Sequence, residues 1–163
     1  MYTVGIITAS DKGSKGERED ISGATIKEIM TANGYEVTEY CVVPDERDLL
    51  EKAMIEMADE KHINLILTTG GTGFSMRDCT PEATIAVCHR LVPGIPEAMR
   101  AYSMQITNRA MLSRAAAGIR NQTLIVNMPG SPKAVKESLE CILDPLAHGL
   151  AILAGDSNEC ARK

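Results

Sequence analysis

Short apolar runs rich in β-branched residues alternate with stretches of helical periodicity along almost the whole chain. Most runs stop at glycine, proline or serine. That alternation constrains the fold more than any other feature. Parallel strands need long crossovers, and the crossover helices must return over the sheet and cover it on both faces. The expected fold class is therefore α/β, a three-layer α/β/α arrangement around a mainly parallel central sheet.

Strands are expected over residues 3–9, 35–43, 64–69 and 123–128, and the run 115–119 is either a hairpin partner of the last or a separate strand. Helices are expected over 21–33, with Asp20 or Ser22 as cap and Gly34 as stop, and from Asp45 to beyond Ala58. Thr80-Pro81-Glu82 opens another, with Thr80 as N-cap, proline in first position and an acid in the first turn. One or two helices lie within 92–114, where Met99, Met104, Met111 and Leu112 face either the core or a subunit interface. The segment 133–143 is helical, and Pro145 is expected to kink or restart a last helix ending near Ala154. Residues 1–154 read as one domain and 155–163 as a polar, frayed tail. At 163 residues the chain can bury a core without disulfides or structural metal.

Strand ends carry the chemistry. They read Ser10-Asp11, Pro44-Asp45-Glu46, Gly70-Gly71-Thr72-Gly73 and Asn127-Met128-Pro129-Gly130-Ser131. In parallel sheets, ligands bind beyond the carboxyl ends of the strands. Three glycines in four residues weaken a local structure unless their freedom is used, and turned backbone N–H groups form an uncharged nest for an anion. A phosphate is the natural guest. A plain tight turn is the competing reading. No Gly-Lys-Ser or Gly-Lys-Thr follows, so this is not a P-loop, and Gly71-Thr72-Gly73 has no glycine three residues on, so the dinucleotide fingerprint fails too. Arg77-Asp78 follows instead. An acid beside a phosphate nest implies an intervening cation. Mg²⁺ on one or two carboxylates plus phosphate oxygens is the simplest, with Asp45 and Asp78 as the pair. Alternatively, Asp78 only pairs with Arg77 or caps the next helix.

The net charge of −5, without any basic run, argues against nucleic acid as a partner. The cysteines Cys41, Cys79, Cys88, Cys141 and Cys160 are odd in number and form no C-x-x-C pair, which reads as reduced thiols and a cytoplasmic location. No basic leader and no membrane-length apolar stretch is seen.

With these residues assembled, the chain resembles the MogA/MoaB family of molybdenum cofactor biosynthesis proteins, related to the G domain of gephyrin. Three blocks carry the resemblance: Ser10-Asp11 with Gly16, Asp20, Ser22 and Gly23; T-T-G-G-T-G-F-S-M-R-D-C-T-P-E-A-T from Thr68 to Thr84; and N-M-P-G-S-P-K-A-V-K-E from Asn127 to Glu137. Met76 and Cys79 depart from the usual proline and apolar residue. The resemblance implies the MogA/MoaB-like fold and the molybdopterin adenylyltransferase reaction, in which molybdopterin and ATP give adenylyl-molybdopterin and pyrophosphate with Mg²⁺. The pterin's phosphate, with a second pKa of about 6, is its own ionised nucleophile. No general base is then needed, and His62, His89 and His148 have structural or surface roles. By the same resemblance, Asp45 and Asp78 are the catalytic, Mg²⁺-binding pair. Gly70, Gly71, Thr72 and Gly73 form the nest, Ser10, Asp11 and Ser131 contact substrate, and Lys12, Arg77 and Lys133 help. The resemblance further implies a homotrimer and a downstream metal-insertion partner. The alternatives are a non-catalytic pterin-binding protein and a scaffold whose glycine turn shapes only a protein interface.

Overall fold

A computed structural model describes residues 1–156. Six strands form one sheet: β1 (Thr3–Ala9), β2 (Glu36–Val43), β3 (Leu65–Thr69), β4 (Arg90–Leu91), β5 (Ala117–Arg120) and β6 (Thr123–Met128), in the order β2-β1-β3-β6-β5-β4. β2, β1, β3 and β6 are mutually parallel, and β5 pairs antiparallel with both β6 and β4. The α/β class with a mainly parallel sheet thus stands. The run before the last strand is a hairpin partner, turned by Asn121 at φ +52°.

Among the described residues six α-helices surround the sheet: α1 (Asp11–Ser14), α2 (Ile21–Ala32), α3 (Arg47–Ile55), α4 (Thr80–Val87), α5 (Gly94–Met104) and α6 (Pro132–Ala154). The period-2 alternation of the strands assigns the two layers. Val4 and Ile6, Leu65 and Leu67, and Leu124, Val126 and Met128 meet α2, α5 and α6 through Ile26, Met30, Met99, Leu139 and Leu146. Ile7, Ile66 and Ile125 point the other way, to Leu50 and Met54 of α3 and Ala83 and Val87 of α4.

Several boundaries differ from expectation, each for a physical reason. The polar loop after β1 contains the single turn α1, because the Ser10 hydroxyl accepts the Gly13 N–H at 2.9 Å. Asp20, not Ser22, caps α2. Asp45 does not begin a helix: α3 starts at Arg47, and its periodicity continues through a π turn at Glu56–Glu60. Thr80 is not a cap but the first helical residue, following Cys79, and its hydroxyl donates to the Gly70 carbonyl at 3.0 Å. Pro145 does not restart a helix, since α6 runs unbroken through it. Proline removes one N–H there, but Ile142, Leu146 and Leu150 are buried on both sides of it and keep that face of the helix in the core. Met99 is core, whereas Met104, Met111 and Leu112 are exposed. Of the expected tail, Gly155 caps α6 at φ +78° and Asp156 accepts from the Tyr2 hydroxyl; the remainder lies outside the described residues. Cys41, Cys79, Cys88 and Cys141 are free thiols, and Cys160 is not among the described residues. No described helix is long and apolar enough to cross a membrane.

Candidate functional site

Strand order reverses between β1 and β3: the chain moves outward from β1 to β2, then crosses to the other side of β1 for β3. Helices from the two sides leave a crevice at such a switch point, beyond the carboxyl ends of the strands. Here those ends are Ala9-Ser10 and Thr69-Gly70.

The glycine turn lies against this crevice. Gly70 and Gly71 take φ +87° and +69°, a region that costs an L-residue about 1–2 kcal/mol. Their surroundings also exclude a side chain. A Cβ on Gly70 would overlap the Ala9 carbonyl, and one on Gly71 would overlap Thr80 Oγ1 and lie 3.2 Å from Asp45 Oδ1. Gly130 approaches from β6, where a Cβ would stand 3.5 Å from Gly70 Cα, and its carbonyl accepts from Ser22 Oγ at 2.6 Å.

Asp11 and Asp45 grip each other reciprocally. The Asp11 N–H donates to Asp45 Oδ2, and the Asp45 N–H donates to Asp11 Oδ1, both at 3.0 Å. Arg77 adds a fork to Asp11, with Nε and Nη2 at 3.0 and 2.9 Å, and reaches Glu46 at 2.8 Å. The Arg77 guanidinium, then the Asp45 N–H, hold the Asp11 carboxyl below the usual range. Asp45 moves the opposite way. Burial pushes its carboxyl up, and the neighbouring Asp11 and Asp78 carboxylates add to this against the Asp11 N–H. Asp78 lies against the same turn, its Oδ2 3.0 Å from where a Cβ on Gly73 would stand. Asp78 does not pair with Arg77 and does not cap α4; its Oδ2 accepts the Ser75 N–H at 3.0 Å.

The donor set suits a divalent cation held partly by its ligand. No three His, Cys, Asp or Glu side chains among the described residues cluster closely enough to hold a metal ion. Asp45 Oδ1 and Asp78 Oδ1 accept no hydrogen bond among those residues, so each has an oxygen to offer. Two carboxylates completed by phosphate oxygens and water match the habit of Mg²⁺.

Two clefts flank the turn. One, of about 470 Å³, lies at the switch point and is lined by Ala9, Ser10, Asp20, Ser22, Gly70 and Gly130. The other, of about 310 Å³, lies beyond Gly73 among Thr72, Met99, Arg100, Ser103, Ser113 and Ser138. Ser10 and Ser131 have their hydroxyls engaged as N-caps, Ser131 accepting from the Ala134 N–H at 3.1 Å. Both occupy strand ends beside the first cleft. Lys12 and Lys133 are exposed.

Sequence reasoning missed the second cleft, which joins Thr72, Gly73 and Pro129 at the strand ends to residues of α5, the 3₁₀ turn Asn108–Leu112 and α6, segments far apart in the chain. It also missed the support of the first. Asp20 accepts from Thr8 Oγ1 at 2.5 Å and from the Tyr40 hydroxyl, and burial followed by that bond pushes the Tyr40 phenol up.

A family model described as a probable molybdopterin binding domain matches residues 5–148. Over 155 residues the chain is 44% identical to a molybdopterin adenylyltransferase of Helicobacter pylori strain J99, covering 94% of this chain and 88% of that protein. It is 40% identical to the molybdopterin adenylyltransferase of Escherichia coli K12, covering 93% and 78%. Among solved structures, the molybdopterin biosynthesis enzyme MoaB of Thermus thermophilus superposes with a TM-score of 0.90 at 47% identity, covering 95% of this chain and 98% of the other. The tungsten cofactor synthesizing protein MoaB of Pyrococcus furiosus gives 0.85 at 36%, covering 97% and 98%.

Proposed function

The chain belongs to the molybdopterin-binding domain family, and on that premise we propose that it is a molybdopterin adenylyltransferase, transferring AMP from ATP to the terminal phosphate of molybdopterin. The single observation that carries this reading is that the carboxylates of Asp45 and Asp78 both lie against the Gly70 to Gly73 turn, whose two ends border two clefts. A transfer between two bulky phosphorylated molecules needs two pockets that share one reacting centre, and the turn is common to both walls.

In the reaction an oxygen of the ionised pterin phosphate attacks the α-phosphorus of ATP. A P–O bond forms there as the bond to the β-phosphate oxygen breaks, and pyrophosphate leaves with that electron pair. The nucleophile is already deprotonated near neutral pH, so the protein's task is positioning and charge neutralisation. The backbone N–H groups of Gly70 to Gly73 would receive phosphate oxygens, in a turn that the close approach of Ala9 and Thr80 restricts to glycine at Gly70 and Gly71. Ser10, Asp11 and Ser131 border the substrates from the strand ends, and Arg77 steadies Asp11. Asp45 and Asp78 would hold Mg²⁺, which would neutralise phosphate charge.

We further infer one domain over residues 1–154 and work in the cytoplasm, where ATP is available and free thiols persist. We also infer a homotrimer, supported by exposed Phe74, Met111 and Leu112, and release of product to a metal-insertion protein. The test of function is pyrophosphate release on mixing the protein with molybdopterin, ATP and Mg²⁺. Stoichiometric pyrophosphate with adenylyl-molybdopterin is expected. Tight pterin binding with no pyrophosphate would reduce the protein to a binder.

A further inference from the structure

Arg114 lies outside every motif, yet it closes the loop that carries Asp78. Its main-chain N–H donates to the Thr72 carbonyl at 2.9 Å. Its Nε donates to the Gly73 carbonyl at 2.7 Å and its Nη2 to the Asp78 carbonyl at 3.0 Å, while Nη1 pairs with Glu82. One residue thus fastens three carbonyls of the segment running from the glycine turn to the proposed catalytic acid. The bulge between Gly73 and Asp78, with exposed Phe74 and Met76, is pinned at both ends by one planar guanidinium. Within it the Ser75 N–H fixes Asp78 Oδ2, leaving Oδ1 open.

Resting on the reading of Asp78 as a working carboxylate, we propose that Arg114 is the positioning residue that aims Asp78 and couples it to the second cleft. The coupling runs through the neighbours of Arg114. The carbonyls of Ser113 and Ala115 accept from Arg100 Nη1 at 3.3 and 3.0 Å, and Arg100 and Ser113 both line that cleft. A ligand seated against Arg100 and Ser113 therefore presses on the segment whose middle residue holds Asp78. A lysine cannot replace the fork, because a single ammonium has neither its planarity nor its spacing.

The test compares wild type with Arg114→Lys, Arg114→Ala and Glu82→Gln. Pyrophosphate release gives kcat and KM, and Mn²⁺ binding with a non-hydrolysable ATP analogue is followed by electron paramagnetic resonance. A misplaced acid costs transition-state more than ground-state binding, so Arg114→Lys should lower kcat by about 30- to 100-fold with KM changed by less than about threefold. Mn²⁺ binding should weaken by about tenfold, as for loss of an outer-sphere support. Methylguanidinium should restore part of the kcat of Arg114→Ala. Glu82→Gln should stay within about threefold of wild type, because the forked contacts to the loop carbonyls remain. Wild-type kcat and Mn²⁺ binding in folded Arg114→Lys would overturn the proposal. So would failure of every Arg114 variant to fold, which would make the residue purely structural. If wild type releases no pyrophosphate, the adenylyltransferase reading falls, and the Mn²⁺ comparison still decides whether Arg114 aims Asp78.

Discussion

Gly71→Ala separates two reasons for a glycine, because Gly16 provides the control. The two residues have nearly the same backbone, φ +69° and +73°, but a Cβ on Gly16 meets nothing within 4 Å, whereas one on Gly71 overlaps Thr80 Oγ1. Left-handed backbone costs alanine about 1–2 kcal/mol, and a stiffer unfolded chain returns about 0.4–1 kcal/mol, so Gly16→Ala should cost about 0–1.6 kcal/mol. Gly71→Ala carries the same cost and also displaces the Thr80 hydroxyl from the Gly70 carbonyl. Disrupting that part-buried hydrogen bond adds about 1–3 kcal/mol, for a total of about 1–5 kcal/mol. Adding Thr80→Ala removes the overlapping oxygen, so the double variant should be more stable than the sum of the singles by about 1 kcal/mol or more. Urea unfolding followed by circular dichroism measures all four proteins. Equal losses for Gly16→Ala and Gly71→Ala, or strict additivity with Thr80→Ala, would refute the claim that close approach adds to backbone conformation at this turn.

Asp78→Asn should abolish adenylyl transfer, by about a hundredfold or more, while calorimetric pterin binding and the melting temperature stay near wild type; wild-type turnover would remove Asp78 from the mechanism. Burial pushes the Cys88 thiol up to about 11, so only the rare thiolate reacts. Iodoacetamide labelling followed by mass spectrometry should be slow at pH 8 and rise steeply towards pH 11, by about tenfold per unit; labelling at the rate of an unfolded thiol at pH 8 would contradict this. Arg120 forks onto Asp59, at 2.6 Å for Nη2, and that bond lowers the Asp59 carboxyl. A depressed carboxyl contributes stability above its unfolded pKa of about 4 that is lost as pH falls through the folded value, so Arg120→Gln should destabilise at pH 7 and lose less than wild type on acidification. Parallel acid unfolding curves for the two proteins would count against the pair.

Much of the layering was legible because strand alternation is a local signal. Val4 and Ile6 against Ile7, or Leu65 and Leu67 against Ile66, mark two faces without knowledge of their partners. The rim was legible for a related reason: Gly70 to Gly73 and Asp78 are contiguous with the strand end that places them. What stayed hidden depends on residues distant in sequence. Arg114 reaches carbonyls 41 and 36 positions away, and a lone arginine carries no sign of that. The second cleft is assembled from segments scattered between Thr72 and Ser138. Pro145 reads as a break because propensity is judged locally, whereas the packing of Ile142, Leu146 and Leu150 decides its effect. Thr80 has the chemistry of a cap, but the Gly70 carbonyl beside it takes its hydroxyl instead. β4, only two residues long, leaves no periodicity to detect.

The reciprocal clasp of Asp11 and Asp45 bears on how a bound ligand would register in stability. Folding holds the two acids together at the rim, with Asp78 adding its own field, and main-chain hydrogen bonds keep them from parting. A ligand that binds only the folded chain and neutralises these carboxylates would raise its unfolding free energy in proportion to the logarithm of its concentration.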